Sequence, residues 1–311
     1  MPRAVPGQTG DKQRAIDALE RAVSCAERAS ADRPVVLVHP ADLCELGPED
    51  IRRELDRVMM GEHPDQGLDA LLTTGVLDSL LPEVKAMVGF GDGEWRHKDV
   101  WKHTKQVVAQ SVPRIEVRYA ALFHDIGKVK TRSISPDGEV HFFGHAEVGA
   151  RMFDKMERRE KLFTGDTSLF GSVRFLVLHH LRASQYDGKW TDSAVRRFAR
   201  EMGEHLEDLL CLSRADITTK RPEKKRRGIS LIDELGGRIG HLADLDAEEP
   251  LLPTGIGNEL MTAFKLPPSR LIGDIKRALE AAVEAGEIEA RLEPEAYVEF
   301  VGQHRERFGI G

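Results

Sequence analysis

One segment constrains this chain more than any other: RYAALFHDIGK, residues 118–128. Val117, Ala120, Ala121 and Phe123 place apolar side chains on most faces of a helix, and a helix that is apolar all round must be enclosed by other elements. His124 and Asp125 follow at its end, and Gly127 is expected to let the chain turn away. Adjacent side chains point about 100° apart on a helix, but at a helix end an imidazole and a carboxylate can still reach one point beside the axis. Buried there they need a partner, and a divalent cation would supply it.

The remaining sequence offers helices to do the enclosing. Aromatic residues make up only 6% of the chain while Ala, Leu, Glu and Arg abound, which makes helix the default. Ile16, Leu19, Val23 and Ala26 have helical spacing within 12–30. From Gly47 the pattern is helical again: Pro48 stands at a helix start with Glu49 and Asp50 in the first turn, where acids suit the helix dipole. Leu68, Leu71, Leu72, Val76 and Leu77 follow, Pro82 opens a further short helix, 89–94 is a loop and a helix resumes near Asp99. Helices are expected over about 145–160, 168–182, 191–204 and 205–217, with one or two more over 256–288 around Pro267 and Pro268. The one convincing β signal is TRSISPDGEVHFF, 131–143, where Pro136-Asp137-Gly138 is turn chemistry between two β-capable runs. RPVVLVHP at 33–40 fits either an isolated strand or a buried extended segment. Residues 1–11 are expected to be a disordered lead and 221–227 a polar, basic loop; 248–255 breaks the chain again, and Asp244 and Asp246 are expected in a polar C-terminal loop.

Composition narrows the function. With 41% hydrophobic and 31% charged residues the chain is of the soluble globular class. No apolar run approaches the roughly 18 residues of a membrane span, and MPRAVPGQTG lacks the apolar core of a signal peptide. Cys25, Cys44 and Cys211 are far apart and form no C-x-x-C pair, which implies reduced thiols, a cytoplasmic location and no zinc ribbon. A net charge of −7 excludes a coat of positive charge for nucleic acid, so any such contact must be local. No Ser-His-Asp spacing and no glycine-rich phosphate loop is present.

Further candidates lie near the His-Asp pair. His103 shares a helix with Val100, Trp101, Val107 and Val108, and Asp216 follows Leu206, Leu209 and Leu210 on another. Imidazole and carboxylate from three helices give mixed nitrogen and oxygen ligation, which suits Mn, Fe, Co, Ni or Mg better than structural zinc. His145 opens one helix and His180 closes another, so a second ion is expected there, with Asp125 bridging the two. Two ions about 3.5–4 Å apart clamp a phosphate and activate water near neutral pH. Lys128 stands ready to neutralise a phosphoryl oxygen, and Arg182, two residues past His180, either binds substrate phosphate or pairs at the surface. Histidines on apolar helices are more often satisfied core residues, and His97, His141 and His179 take that ordinary role. The basic run Lys220, Arg221, Lys224, Lys225, Arg226 and Arg227 either holds an RNA backbone or is a solvated face, and the acidity of the rest favours the latter.

These residues in this order resemble the HD superfamily pattern of His, His-Asp and Asp. More closely, the chain resembles the HD-containing body of bacterial CCA-adding enzymes, of the tRNA nucleotidyltransferase and poly(A) polymerase family. GPEDIRRELDRVMMGEHPDQGLDALLTTGVLDSLLPEV at 47–84, KDVWKHTKQVV at 98–108, RYAALFHDIGKVKTRSISPDGEVHFFGHAEVGARM at 118–152, LSRADITTKRPEKKRR at 212–227 and LPTGIGNELMTAFKLPPSRLIGDIKRALEAAVEAGEI at 252–288 carry the likeness. It implies an all-α fold, an HD-domain helical body with a small β-hairpin and flanking helical segments. The expected organisation is an N-terminal extension over 1–46, a linker-like helical segment over 47–95, the HD phosphohydrolase domain over 96–230 and a C-terminal helical segment over 231–311. The resemblance implies His103, His124, Asp125 and Asp216 as primary metal ligands, His145 and His180 at a second ion, and Lys128 as the lysine that follows the HD pair. It also implies phosphohydrolase activity on 2′,3′-cyclic phosphates, 2′-nucleotides and phosphomonoesters. The nucleotidyltransferase head of that family would precede residue 47, and residues 1–46 are too short for it and hold no D-x-D pair. The expected function is therefore hydrolysis of nucleotide or RNA 3′-end phosphoesters with divalent ions, two in number, and tRNA as a possible partner. The alternatives are an RNA-binding module, or partner subunit of a split nucleotidyltransferase, without hydrolysis of its own, and an enzyme that cleaves dNTPs. The sequence assigns no oligomeric state.

Overall fold

A computed structural model describes residues 10–30, 33–91, 99–248 and 250–310. Most of the N-terminal lead, His97 and part of the 89–94 loop lie outside the described residues. The chain divides into two compact units, one running up to Gln185 and including His205–Ile229, the other comprising Tyr186–Glu204 and Ser230–Gly311. Among the described residues the only sheet is a two-stranded hairpin, as expected for an all-α chain. No helix among them is long and apolar enough to cross a membrane.

Proline punctuates the start of the first unit. After α1 (Lys12–Arg28), the helices α2 (Pro40–Cys44), α3 (Pro48–Met60), α4 (Pro64–Thr73) and α6 (Pro82–Lys85) each open on a proline, and α5 (Val76–Leu80) sits between the last two. At the first helical position the missing N–H costs nothing and the fixed φ is already helical. Asp11 caps α1 by accepting from the Arg14 N–H. The small face of α1, Ala15, Ala18, Ala22 and Ala26, is buried and packs on α3 and α4. The approach is close enough that a Cβ on Gly67 would stand 2.7 Å from the Ala26 Cβ. Residues 33–39 form no strand. Their apolar run is held by the Val38 N–H, which donates to the Thr74 carbonyl at 2.8 Å, while Val35 and Leu37 are exposed.

The same unit continues with α7 (Val100–Gln110), α8 (Ile115–Phe123), α9 (Lys128–Thr131), the strands β1 (Ser133–Ile134) and β2 (Val140–His141), α10 (His145–Glu160) and α11 (Thr167–His179). The strands are antiparallel, with Ser133 opposite His141. Then come α12 (Asp192–Met202) in the second unit, α13 (Leu206–Asp216) in the first, and α14 (Pro222–Glu248). Every residue of α8 from Val117 to Phe123 is buried, because α3, α7, α11 and α13 all pack on it. Tyr119 and Phe123 join Phe153 and Phe163 in one ring cluster. Each such fully buried side chain stabilises the unit by about 1.5–3 kcal/mol. The second unit has its own core, in which Ile256 and Leu260 of α15 (Ile256–Phe264), Ile275 and Leu279 of α16 (Arg270–Ala285), and Tyr297 and Val301 of α17 (Pro294–Gln303) come together.

Two expected loops are helical. RPEKKRR at 221–227 enters α14 at Pro222, and Asp244 and Asp246 lie within the same helix. Lys, Arg and Glu are good helix formers and proline suits a first turn, so polarity alone does not make a loop. Helix α11 ends at His179 rather than near 182.

A candidate metal centre at helix ends

Six chemically active side chains of the first unit converge, five of them from helix ends. His124 caps the C-terminus of α8 and Asp125 follows in the turn. His145 is the first residue of α10, His180 caps the C-terminus of α11, and Asp216 is the last residue of α13. His103 comes from within α7. Gly127 holds the halves together by a different route from the turn expected of it. Its φ is −67°, which any residue adopts, but a Cβ there would stand 2.0 Å from the His145 carbonyl oxygen and 2.7 Å from the Gly149 nitrogen. The turn carrying His124 and Asp125 is thus pressed directly on the start of α10. Gly149, on α10, meets only ordinary contacts of 3.5 Å and more.

Donor atoms of His103, His124 and Asp125 lie within 4.8 Å of one another, and so do those of Asp125, His145 and His180. Asp125 belongs to both sets. His103 Nε2 is 3.3 Å from His124 Nε2 and 3.5 Å from Asp125 Oδ2. Asp216 Oδ1 lies 2.9 Å from His103 Nε2 and 3.6 Å from His124 Nε2. On the other side, His145 Nε2 is 3.6 Å from Asp125 Oδ1 and 3.1 Å from His180 Nε2. Lys128 Nζ donates to Asp125 Oδ2 at 2.7 Å.

The donor set fits divalent cations. In His124, His145 and His180 the Nδ1 atom is 2.8 Å from the carbonyl three residues earlier, that of Ala121, Phe142 and Val177. A carbonyl only accepts, so Nδ1 carries the proton and Nε2 of the neutral ring is a bare acceptor. His145 and His180 therefore face each other with two lone pairs at 3.1 Å, an arrangement that a cation between them stabilises. Asp125 is 1% exposed, and its Oδ1 has no hydrogen-bond partner among the described residues. Such a buried orphan is costly unless an ion meets it.

The electrostatics agree. Burial would raise the Asp125 carboxyl, but the charges of His124, Lys128 and His103 outweigh it and hold it well below the usual carboxylate range. Burial opposes charge on His124, yet Asp125 and Asp216 push its pKa up, so the space around its Nε2 favours positive charge. Burial, reinforced by positive charge at His124, depresses His180 to about 4, and burial also lowers His145; both stay neutral, as ligands must. Burial raises Asp216, but the His103 hydrogen bond and His124 bring it down to about 2.

A cleft of about 440 Å³ opens on the cluster, lined by His103, Asp125, Lys128, Asp216 and also Phe142, Ile217, Thr218 and Thr219. Lys128 Nζ lies 5.7 Å from the centre of the Phe142 ring. Arg182 is in the turn after α11, its N–H donating to the His179 carbonyl, and is not among the residues lining the cleft. The His179 ring lies tilted against Phe175, and His141 stacks on Phe143. Sequence reasoning missed Thr218, whose hydroxyl is 2.9 Å from His103 Nδ1, and Phe142, which both lines the cleft and holds His145. Both stood in quoted motifs, RADITT and FFGHA, but neither is a residue type that announces metal chemistry.

Residues 98–220 match the HD domain family, and residues 41–88 match the family described as "Probable RNA and SrmB- binding site of polymerase A". The chain is 32% identical to the A-adding tRNA nucleotidyltransferase of Deinococcus radiodurans over 260 residues, 81% of this chain and 58% of that protein. It is 31% identical to the CC-adding tRNA nucleotidyltransferase of Thermus thermophilus over 259 residues, 80% of this chain and 56% of that protein. It therefore spans less than two thirds of the length of either relative. An HD domain preceded by the poly(A) polymerase segment, with similarity over about four fifths of the chain, makes the protein the counterpart of the HD-containing body of the tRNA nucleotidyltransferases.

Proposed function

We propose that the chain is a divalent-metal-dependent phosphohydrolase of the cytoplasm, acting on nucleotide or RNA-end phosphoesters, with 2′,3′-cyclic phosphates and phosphomonoesters as its substrates. One observation carries this: Nε2 atoms of buried histidines gather on both sides of Asp125, whose buried Oδ1 has no hydrogen-bond partner among the described residues. His103, His124, Asp125 and Asp216 would hold one ion, and Asp125, His145 and His180 a second, chosen from Mn, Ni, Co, Fe or Mg. When bound, such ions polarise phosphoryl oxygens and lower the pKa of water.

The protein's own groups do the rest. Lys128, on the cleft wall, offers its ammonium to a phosphoryl oxygen while Asp125 keeps it anchored. Phe142 and Ile217 wall the cleft with apolar surface, which limits water beside the phosphate and strengthens the charge interactions there. The backbone carbonyls of Ala121, Phe142 and Val177 fix three rings in the ligating tautomer before substrate arrives.

The test is hydrolysis of 2′,3′-cyclic nucleotides, 2′- and 3′-monophosphates and dNTPs by protein stripped and reloaded with each metal. Turnover of cyclic or monoester substrates, abolished in Asp125→Ala with the fold retained by circular dichroism, is the expected result. Cleavage of dNTPs alone would make it a triphosphohydrolase, and no turnover with any metal would end the hydrolase reading. The match at 41–88 favours a second reading, a tRNA-binding body that serves a nucleotidyltransferase; retained RNA binding without hydrolysis is its signature.

A further inference from the structure

A dense run of positive charge leads into α14 and continues through its first turns. Lys220, Arg221, Lys224, Arg226 and Arg227 are exposed and Lys225 is half-buried, with Glu223 as the one acid among them. None of these six cations has a side-chain hydrogen bond or ion pair among the described residues. Elsewhere in the first unit several arginines are paired: Arg52 with Asp56, Arg57 with Glu27 and Glu54, Arg114 with Glu207 and Asp208, Arg159 with Glu83. In a chain of net charge −7, six cations with a single acid among them cost self-repulsion unless a polyanion meets them.

Their position is fixed against the candidate metal centre. Thr219 lines the cleft and the run begins at the next residue. The Thr219 hydroxyl accepts from the Arg221 N–H at 3.3 Å. Two turns further, a Cβ on Gly228 would stand 3.1 Å from Ile217 Cδ1, and Ile217 is itself a wall of the cleft. The basic turns are therefore braced on the rim rather than hung from a loose loop. Residues 221–227 rise about 9 Å along the helix, roughly the length of two to three stacked nucleotides.

We infer that this ridge receives the strand of an RNA whose terminal phosphoester enters the cleft, so that the preferred substrate is an oligonucleotide end and not a free mononucleotide. The inference rests on the phosphohydrolase reading for what happens in the cleft, but not for binding. A free nucleotide ends within the cleft and has no phosphate to offer the ridge; a strand continues past the rim with one charge per residue. The basic contacts carry no base preference, because they reach phosphates and not base edges.

The experiment uses the full chain, loaded with metal. Arg221→Glu/Lys224→Glu is compared with Lys12→Glu/Arg28→Glu, which makes the same change of net charge on α1. Binding of a fluorescent single-stranded RNA 12-mer is followed by anisotropy across salt concentrations, and hydrolysis is followed with a 2′,3′-cyclic mononucleotide and with an oligonucleotide ending in the same group. The expected outcome is roughly tenfold or greater loss of RNA affinity in the ridge variant, with a log–log salt slope shallower by about 1.4, about 0.7 for each lost phosphate contact. KM should rise for the oligonucleotide, and kcat and KM for the mononucleotide should stay as they were. Equal RNA affinity in the two variants would overturn the inference and leave the ridge a solvated face. Equal competition by polyglutamate would overturn the assignment to nucleic acid. Ridge-dependent RNA binding without any hydrolysis would uphold the ridge and sink the phosphohydrolase reading.

Discussion

His103 is oriented by Thr218, with Nδ1 and the hydroxyl 2.9 Å apart. It alone of the four histidines takes its orientation from a side chain, and that side chain follows Asp216, which meets the same ring at Nε2. The other three lean on carbonyls of their own helices or turns. Thr218→Val keeps the shape and removes the partner of Nδ1, so the ring loses its fixed tautomer. Metal affinity at the site of His103 should fall by about 10–100-fold, with Thr218→Ser restoring it. Chelator competition followed by elemental analysis measures this; wild-type affinity in the valine variant would remove Thr218 from any positioning role.

His145 and His180 should govern the second ion more than the first. His103, His124, Asp125 and Asp216 offer four ligands to one ion, whereas His145, His180 and a shared carboxylate offer three to the other. His145→Ala or His180→Ala should lower the metal count towards one per chain and reduce turnover sharply. One metal in wild type and variants alike would mean that a single ion suffices and that the two-ion mechanism has to be dropped.

Gly127→Ala and Gly149→Ala should part company. The added methyl at 127 meets backbone at 2.0 Å and must push α10 away, at a cost of about 1–3 kcal/mol and with His145 displaced from Asp125. At 149 the nearest atoms stand at 3.5 Å or more, and helix propensity favours alanine by about 1 kcal/mol. Thermal melts and metal counts of the two variants provide the comparison. Equal behaviour would show that the turn does not depend on the close approach.

Asp42 supplies a pH dependence independent of metal. Burial raises its carboxyl, but the N–H groups of His39 and Asp11, with Arg14 beside them, outweigh burial and lower it below 3.8. A group whose folded pKa is depressed stabilises above its unfolded value and loses that contribution as pH falls through the folded one. Asp42→Asn should cost about 2 kcal/mol at neutral pH and flatten the loss of stability on going below pH 3.8. Urea melts across that range test it, and identical acid slopes for variant and wild type would refute the assignment.

Much of this protein was legible from residue order alone. The apolar sequence of α8 demanded enclosure and received it from four helices; proline marked helix starts; the turn chemistry of Pro136-Asp137-Gly138 made the one hairpin. The identities of His103, His124, Asp125, His145, His180 and Asp216 as a group followed from residue type and helix context, since buried imidazoles and carboxylates need partners. Local sequence misled where polarity stood in for conformation, as in the basic run that opens α14. What only the tertiary structure decided were relations between distant segments: that Thr218 steadies His103, that Gly127 is needed for its close approach to His145 and not for its own φ, and that the basic run is braced through Gly228 on Ile217 of the cleft wall. Each depends on distances between groups far apart in the chain. Periodicity specifies which face of a helix is buried, but not which atom of another helix it will meet.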